Sequence, residues 1–445
     1  MKVWNVLDYG AKRDGVTNDA PAIQKAIDEC TAAGGGRVYV PAGQYMCGTI
    51  DLKDNVDLHL ERGASLVASF NEADVKIVEH PDGRVEDSGY FVGSFHAKNV
   101  SLTGFGELYG QGYKVMFDDG ADGDYHECPL MSEGFRPRLT YLEDVENLTI
   151  RDITFRDSSL WTLHMAGCRR VLIQGIKILN NNRGANNDGI DPDSCQDVVI
   201  SDCFIETGDD AIVVKTTKPI TEKYGPCENI LIRGCVLASR DSALKIGTET
   251  HGDIRNIVMS DCVVQNCSRA VGIWVRDGAT IEDIMVHHIT GAVRRYANSN
   301  GRHFAPDWWG KGEPIFISAT HRRNKPGFAG TIRNITFDHI RVTAESSLFI
   351  RGEEINPICN VQLQDINITM KKQGTQATGF FDEQPSSRDV YPHEIPAIYA
   401  RYANGLELEN VKVTWVAPME EAWSGLLQLE DCENVVTEKV QEIKA

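Results

Sequence analysis

The chain has 445 residues, 42% hydrophobic and 24% charged, and 64 acidic against 45 basic side chains give it a formal net charge of −19. That balance lacks the basic stripe a nucleic-acid partner requires, and no apolar run is long enough for a membrane span or a signal-peptide core. It does not exclude an acidic small substrate, because local cations decide that question while total charge mainly sets solubility.

Met1 to Cys47 reads as a cap. Asn18 or Asp19 is placed to N-cap a helix whose Ile23, Ala26, Ile27 and Cys30 share one face, and AAGGGRVYVPAG then turns the chain into strands. From Val100 one phrase recurs, apolar-x-apolar-polar-polar-apolar. It appears as VSLTGF, then LTIRDI from Leu148, VLIQGI from Val171, VVISDC from Val198 and ILIRGC from Ile230. It continues as IVMSDC from Ile257, IMVHHI from Ile284, ITFDHI from Ile335, VQLQDI from Val361 and LELENV from Leu406. Successive starts lie mostly about 23 to 32 residues apart, the spacing of a stacked repeat. Within each phrase the period is two, so the units are strands, and none can bury its apolar face alone. Stacked at a strand spacing of about 4.8 Å they make one continuous core.

The expectation is therefore an all-β, right-handed parallel β-helix. It is read as a single domain over 1–445, with a cap at 1–47 and coils carrying long insertions over 48–445. Twelve Cys raise the question of disulfides, but Cys203, Cys235 and Cys262 take the same last apolar position of three neighbouring phrases, where Cys packs as a small hydrophobe. The His and Cys are scattered without CxxC or HExxH spacing, so no metal and no other cofactor is expected. With no leader in the sequence as given, the expected location is the cytoplasm, or outside the cell if a leader was removed.

The chemistry concentrates between Asn186 and Lys215, where NNDGIDPDS and GDDAIVVK bring together Asp188, Asp191, Asp209 and Asp210. If Val198 and Ile230 begin equivalent strands, Asp209 lies beside Asp241, Asp210 beside Ser242 and Val213 beside Lys245, and the shared small-apolar step sets Asp188 next to Asp210. The same step puts Arg269 one coil beyond Ser242, with Trp274 and Arg276 further along that strand. One groove is then expected to gather these acids with Lys215, Lys245, Arg276 and Trp274. Acids one coil apart cannot all be ionised cheaply, so one should hold a proton, as glycoside hydrolysis requires. The bland alternative is that these are solvated turn residues.

At these residues the chain resembles family 28 of the glycoside hydrolases, the polygalacturonase and rhamnogalacturonan hydrolase family. WNVLDYGAKRDGVTNDAPAIQKAID, GGGRVYVPAG and LHLERGASL resemble its N-terminal region, and SSLWTLH, NNDGIDPDS and GDDAIVVK carry the more specific match. The resemblance implies an inverting, metal-independent glycosidase in which Asp209 is the general acid and Asp188 and Asp210 hold the attacking water. The chain departs from the family pattern twice. Ser242, between Asp241 and Ala243, stands where the family has a His, and Trp274-Val275-Arg276 stands where it has Arg-Ile-Lys. Arg276 is thus expected to grip a uronate carboxylate, the alternative being that it neutralises Asp277 or a catalytic Asp and holds the turn. Trp274 is expected to stack on a sugar, which favours a neutral or deoxy sugar beside the uronate, as in rhamnogalacturonan fragments.

Weaker substrate-binding candidates are Trp161 and His164, with a structural His equally open, and then Trp308 and Trp309 in the insertion before Ile335. Tyr391 and His393 rank below them. The expected partner is a pectic, uronate-containing oligosaccharide cleaved from its end, with oligomeric state open. A β-helical lyase using carboxylate-bound Ca²⁺, and a carbohydrate-binding adhesin without catalysis, remain as alternatives.

Overall fold

The computed structural model describes residues 2–78, 89–120, 127–296, 309–322, 327–383 and 390–444. The chain divides into two compact units, one made of Met1–Asp119, Leu130–Gly208 and Pro219–Gly225, the other of Gly120–Pro129, Asp209–Lys218 and Pro226–Ala445.

In the first unit the helix Ala20–Ala32 buries Ala20, Ile23, Ala26, Ile27 and Cys30, the face its apolar spacing predicts with Ala20 added. Asn18 and Asp19 divide the work at its start. Asn18 Oδ1 accepts from the Ala20 amide at 3.1 Å, while the Asp19 carboxylate accepts from the amides of Lys12 and Arg13 at 2.6 and 2.9 Å. The strands that follow pair in parallel, with Val100 opposite Leu148, Leu148 opposite Val171 and Val171 opposite Val198. The second unit continues the rule, pairing Ile230 with Ile257, then Ile284, Ile335, Val361 and Leu406. These are the phrase starts of the sequence repeat, and the fold is a right-handed parallel β-helix.

Each coil turns into its phrase through one residue in the left-handed region, among them Asn147, Asn229, Asn256, Asn334 and Asn360 with φ between 54° and 60°. Asn tolerates this conformation better than other residues with a Cβ. Its side chain gains a partner as well: Asn256 Nδ2 donates to Asn229 Oδ1 at 3.2 Å, and Asn360 Nδ2 to Asn334 Oδ1 at 3.2 Å. The thiols of Cys203, Cys235 and Cys262 are buried and donate to the carbonyls of Ser201, Arg233 and Ser260, so they occupy the core positions expected of them. Among the described residues no helix is long and apolar enough to cross a membrane.

One ladder in each unit carries the candidate residues. In the first unit it runs through Arg138–Glu143, Leu163–Ala166 and Ile190–Asp193. In the second it runs through Ile212–Thr216, Ser242–Thr250, Arg269–Val275, Glu313–Ala319 and Leu348–Arg351.

Candidate active site

Asp188, Asp191, Trp161 and His164 belong to the first unit. Asp191 lies on the ladder opposite His164, and both are fully buried. The His164 ring is packed by Trp161 at 4.8 Å and Tyr141 at 5.0 Å, with its Nε2 3.3 Å from Asp193 Oδ2. Trp161 in turn lies under the Arg138 guanidinium. Of the two readings of His164, this enclosure supports the structural one, and Trp161 shares it. Asp188 sits in a turn built by two asparagines that the sequence reading passed over. Asn180 donates to Thr162 Oγ1 at 2.7 Å and to the Asn187 carbonyl at 2.9 Å, and the Asp188 carbonyl accepts from Thr162 N at 2.9 Å. Asn187 Oδ1 accepts from Gly208 N at 2.8 Å, which fixes the residue just before Asp209. Gly208 has to be glycine, because a Cβ there would lie 2.3 Å from the Gly184 carbonyl oxygen.

Asp209, Asp210, Lys215, Lys245, Trp274 and Arg276 belong to the second unit. The predicted register is present: Val213 pairs with Lys245 and Ser242 with Arg269. Asp209 is tied by its backbone, its carbonyl accepting from Ser239 Oγ at 2.7 Å, and its Oδ1 accepts from the Asp210 amide at 3.0 Å. Asp210 accepts from the Ser242 amide at 3.3 Å on Oδ1 and from the Lys245 ammonium on Oδ2. Lys245 also lies 3.7 Å from Asp241 Oδ2. Asp241 is no groove acid: it is fully buried, with Oδ1 2.7 Å from Arg269 Nη1 and 3.2 Å from Ser242 Oγ. Ser242, where the resemblance expects a His, therefore serves Asp210 through its backbone and Asp241 through its hydroxyl.

Two expectations need correction. Lys245 is committed to Asp210 and Asp241, which removes it from the cations offered to a substrate. Trp274 is 1% exposed and presents no platform to a sugar. Lys245, Gly272 and Phe316 are successive rungs of one ladder, and the indole folds back over Gly272, where a Cβ would meet the ring at 2.5 Å. Its edge meets Phe316 at 5.5 Å, and the Lys245 ammonium lies 4.5 Å from its centroid. The signal was a glycine two residues upstream on the same strand face, a notch that an aromatic ring fills.

Arg276 directly follows this strand. Its Nε donates to the Thr248 carbonyl at 3.1 Å. Burial and then the neighbouring Arg322 charge hold its guanidinium down at about 10, against the pull of Glu249 and Asp277. Asp277 is taken by Arg322 through two bonds of 2.8 and 2.9 Å, and its charge also pulls on Arg276. Lys215 lies 4.0 Å from Glu249. Burial opposes ionisation of Glu249, yet Lys215, Arg276 and Lys245 hold its carboxyl below the usual range. Trp309 is buried, and Trp308 lies outside the described residues. Tyr391 bonds Glu383 and His393 stacks on Phe381, which accounts for both by packing.

Comparison with family models gives one family. Residues 30–384 match the model of glycosyl hydrolases family 28. A protein of Vitis vinifera described as a "Probable polygalacturonase" is 30% identical over 312 residues, 66% of this chain and 61% of that protein. An exo-poly-alpha-D-galacturonosidase of Dickeya chrysanthemi is 26% identical over 57% of this chain and 48% of its own length. The matched region thus spans about half to three-fifths of these relatives. Among solved structures, a family 28 exopolygalacturonase of Yersinia enterocolitica superposes with a TM-score of 0.73 at 17% identity, over 98% of this chain and 78% of that one.

Proposed function

Because the chain belongs to family 28 of the glycosyl hydrolases, we propose that it hydrolyses uronate-bearing, pectin-derived oligosaccharides, removing sugar from a chain end. The observation that carries this reading is the Asp209-Asp210 turn, in which two adjacent carboxyls have different partners. Asp210 is ion-paired with Lys245, and Oδ1 of Asp209 accepts from the Asp210 amide. The cation on Asp210 favours its ionised form, which suits it to take a proton, and the motif correspondence gives Asp209 the part of the acid. In the proposed reaction Asp209 protonates the glycosidic oxygen as its bond to the anomeric carbon breaks. Water forms the new bond from the opposite face and passes its proton to the Asp210 carboxylate.

Arg276 supports a uronate at the reacting sugar. A buried guanidinium already repelled by Arg322 gains from any anion placed beside it, and Arg matches a carboxylate with a planar fork. The case for a neutral or deoxy neighbouring sugar rested on the loss of the family's Arg and on Trp274 as a platform, and the burial of Trp274 withdraws the second support. The substrate proposed is therefore galacturonate-based. The name of the Dickeya relative supports both the sugar and end-wise action.

The test is product analysis on a panel of pectic oligosaccharides with and without chelator, using the wild type and Asp209→Asn. The expected outcome is monomeric, saturated product with new reducing ends in either condition, and a loss of at least about a hundredfold in turnover for the variant. An ultraviolet-absorbing product abolished by chelator would establish a lyase, and no product at all a binding protein.

A further inference from the structure

The Lys245 ammonium is 4% exposed at the level of the residue and is enclosed on three sides: Asp210 Oδ2, Asp241 Oδ2 at 3.7 Å and the face of Trp274 at 4.5 Å. Its surroundings are themselves fixed. The second oxygen of Asp241 is held by Arg269 and Ser242, and the second oxygen of Asp210 by the Ser242 amide. Trp274 is wedged between Gly272 and Phe316.

We infer that Lys245 is a positioning residue for Asp210: with Trp274 as its cover and Asp241 as its anchor, it orients the Asp210 carboxylate and keeps it charged until water delivers a proton. Burial by itself would lower the Lys245 pKa, but Asp210, then Asp241 and Asp209, more than offset it, and the ammonium persists above the usual lysine value. Within this unit the charged groups around the pair are Asp209, Asp241, Arg269 and Glu249. An ion pair in so enclosed a place fixes geometry, and the buried cation favours the ionised form of its partner. The proton balance follows. The proton lost by water ends on Asp210, the one lost by Asp209 ends on the leaving oxygen, and Lys245 keeps its charge throughout.

This inference rests on the hydrolase reading, and the experiment separates the two. Wild type, Lys245→Met, Lys245→Arg and Trp274→Leu are compared for kcat, KM and the pH dependence of kcat/KM, on a galacturonate oligosaccharide and its carboxyl-reduced counterpart. Lys245→Met should lower kcat at least about tenfold on both substrates, with KM within about threefold, and move the acid limb of the profile to higher pH. Lys245→Arg should restore part of kcat and return the limb towards its wild-type position. Trp274→Leu admits water to the pair without removing the charge, so it should move the limb the same way by less, and it carries the test if the Met variant does not fold. A loss confined to KM and to the uronate substrate would show that Lys245 grips the sugar. An unmoved acid limb in folded Lys245→Met and Trp274→Leu would reduce the pair to a structural contact. Either result overturns the inference while leaving an active hydrolase; a wild type that releases no reducing ends overturns the hydrolase reading itself.

Discussion

At the scale of single residues, two cations in this chain that look alike in sequence are proposed to have opposite uses. Lys245 is ion-paired with Asp210, whereas Arg276 is pulled by Glu249 and Asp277 but crowded by the Arg322 guanidinium, a repulsion that a bound anion would ease. Loss of a charge-assisted bond to a substrate carboxylate costs about 1.5–3 kcal/mol, roughly tenfold to a hundredfold in kcat/KM. Arg276→Gln should show that loss on a uronate oligosaccharide and only a few-fold loss on the carboxyl-reduced one. Equal losses on the two substrates would mean that Arg276 supports the site without reading the sugar. Nothing in the local sequence separates these two cations: each sits near acids at short range, and the partner chosen depends on side-chain direction and on what else crowds the same volume.

At the scale of strands and turns, the ladder register was legible and the roles of its buried groups were not. Alternating Val, Ile and Leu fix which residue faces inward, and a one-residue slip would turn every apolar side chain out, so pairs such as Val213 with Lys245 follow from pattern alone. That logic fails for Arg269–Val275, in which all seven residues are buried. When both faces are covered, alternation no longer tells which side chain reaches solvent, and Trp274 was misread for this reason. The turn residues show the same limit. Asp277 reads as an ordinary turn acid, yet it joins three successive coils, accepting from the Thr250 amide at 3.2 Å and from Arg322, with His251 at 3.9 Å. Burial alone would raise its pKa, but Arg322 and then His251 bring it below the usual aspartate value. Because the folded value lies below the unfolded one, its contribution is complete above about pH 4 and is lost as pH falls through the folded value. Asp277→Asn should therefore cost about 1.5–3 kcal/mol at neutral pH, and the gap in Tm between variant and wild type should close as pH is lowered towards 3. A gap that stays constant between pH 7 and 3 would show that the side chain acts through shape and not through charge.

At the scale of the whole chain, the net charge and the proposed substrate oppose each other. A formal charge of −19 repels an anionic polymer at a distance, while the cations proposed to attract a carboxylate, Lys215 and Arg276 among them, are buried and would act only at contact. Salt separates the two effects. The screening length falls from about 30 Å at 10 mM to about 8 Å at 150 mM, so added salt suppresses long-range repulsion while buried pairs are screened much less. For a long polygalacturonate, kcat/KM should rise about threefold or more over this range, since association is the step that the long-range field controls. For a galacturonate dimer or trimer, with few charges to repel, the rise should be smaller, and for a carboxyl-reduced oligosaccharide the value should stay flat. A fall in kcat/KM with salt for the polymer would reverse the assignment, making local cations the dominant field and leaving the acidic total as a determinant of solubility alone.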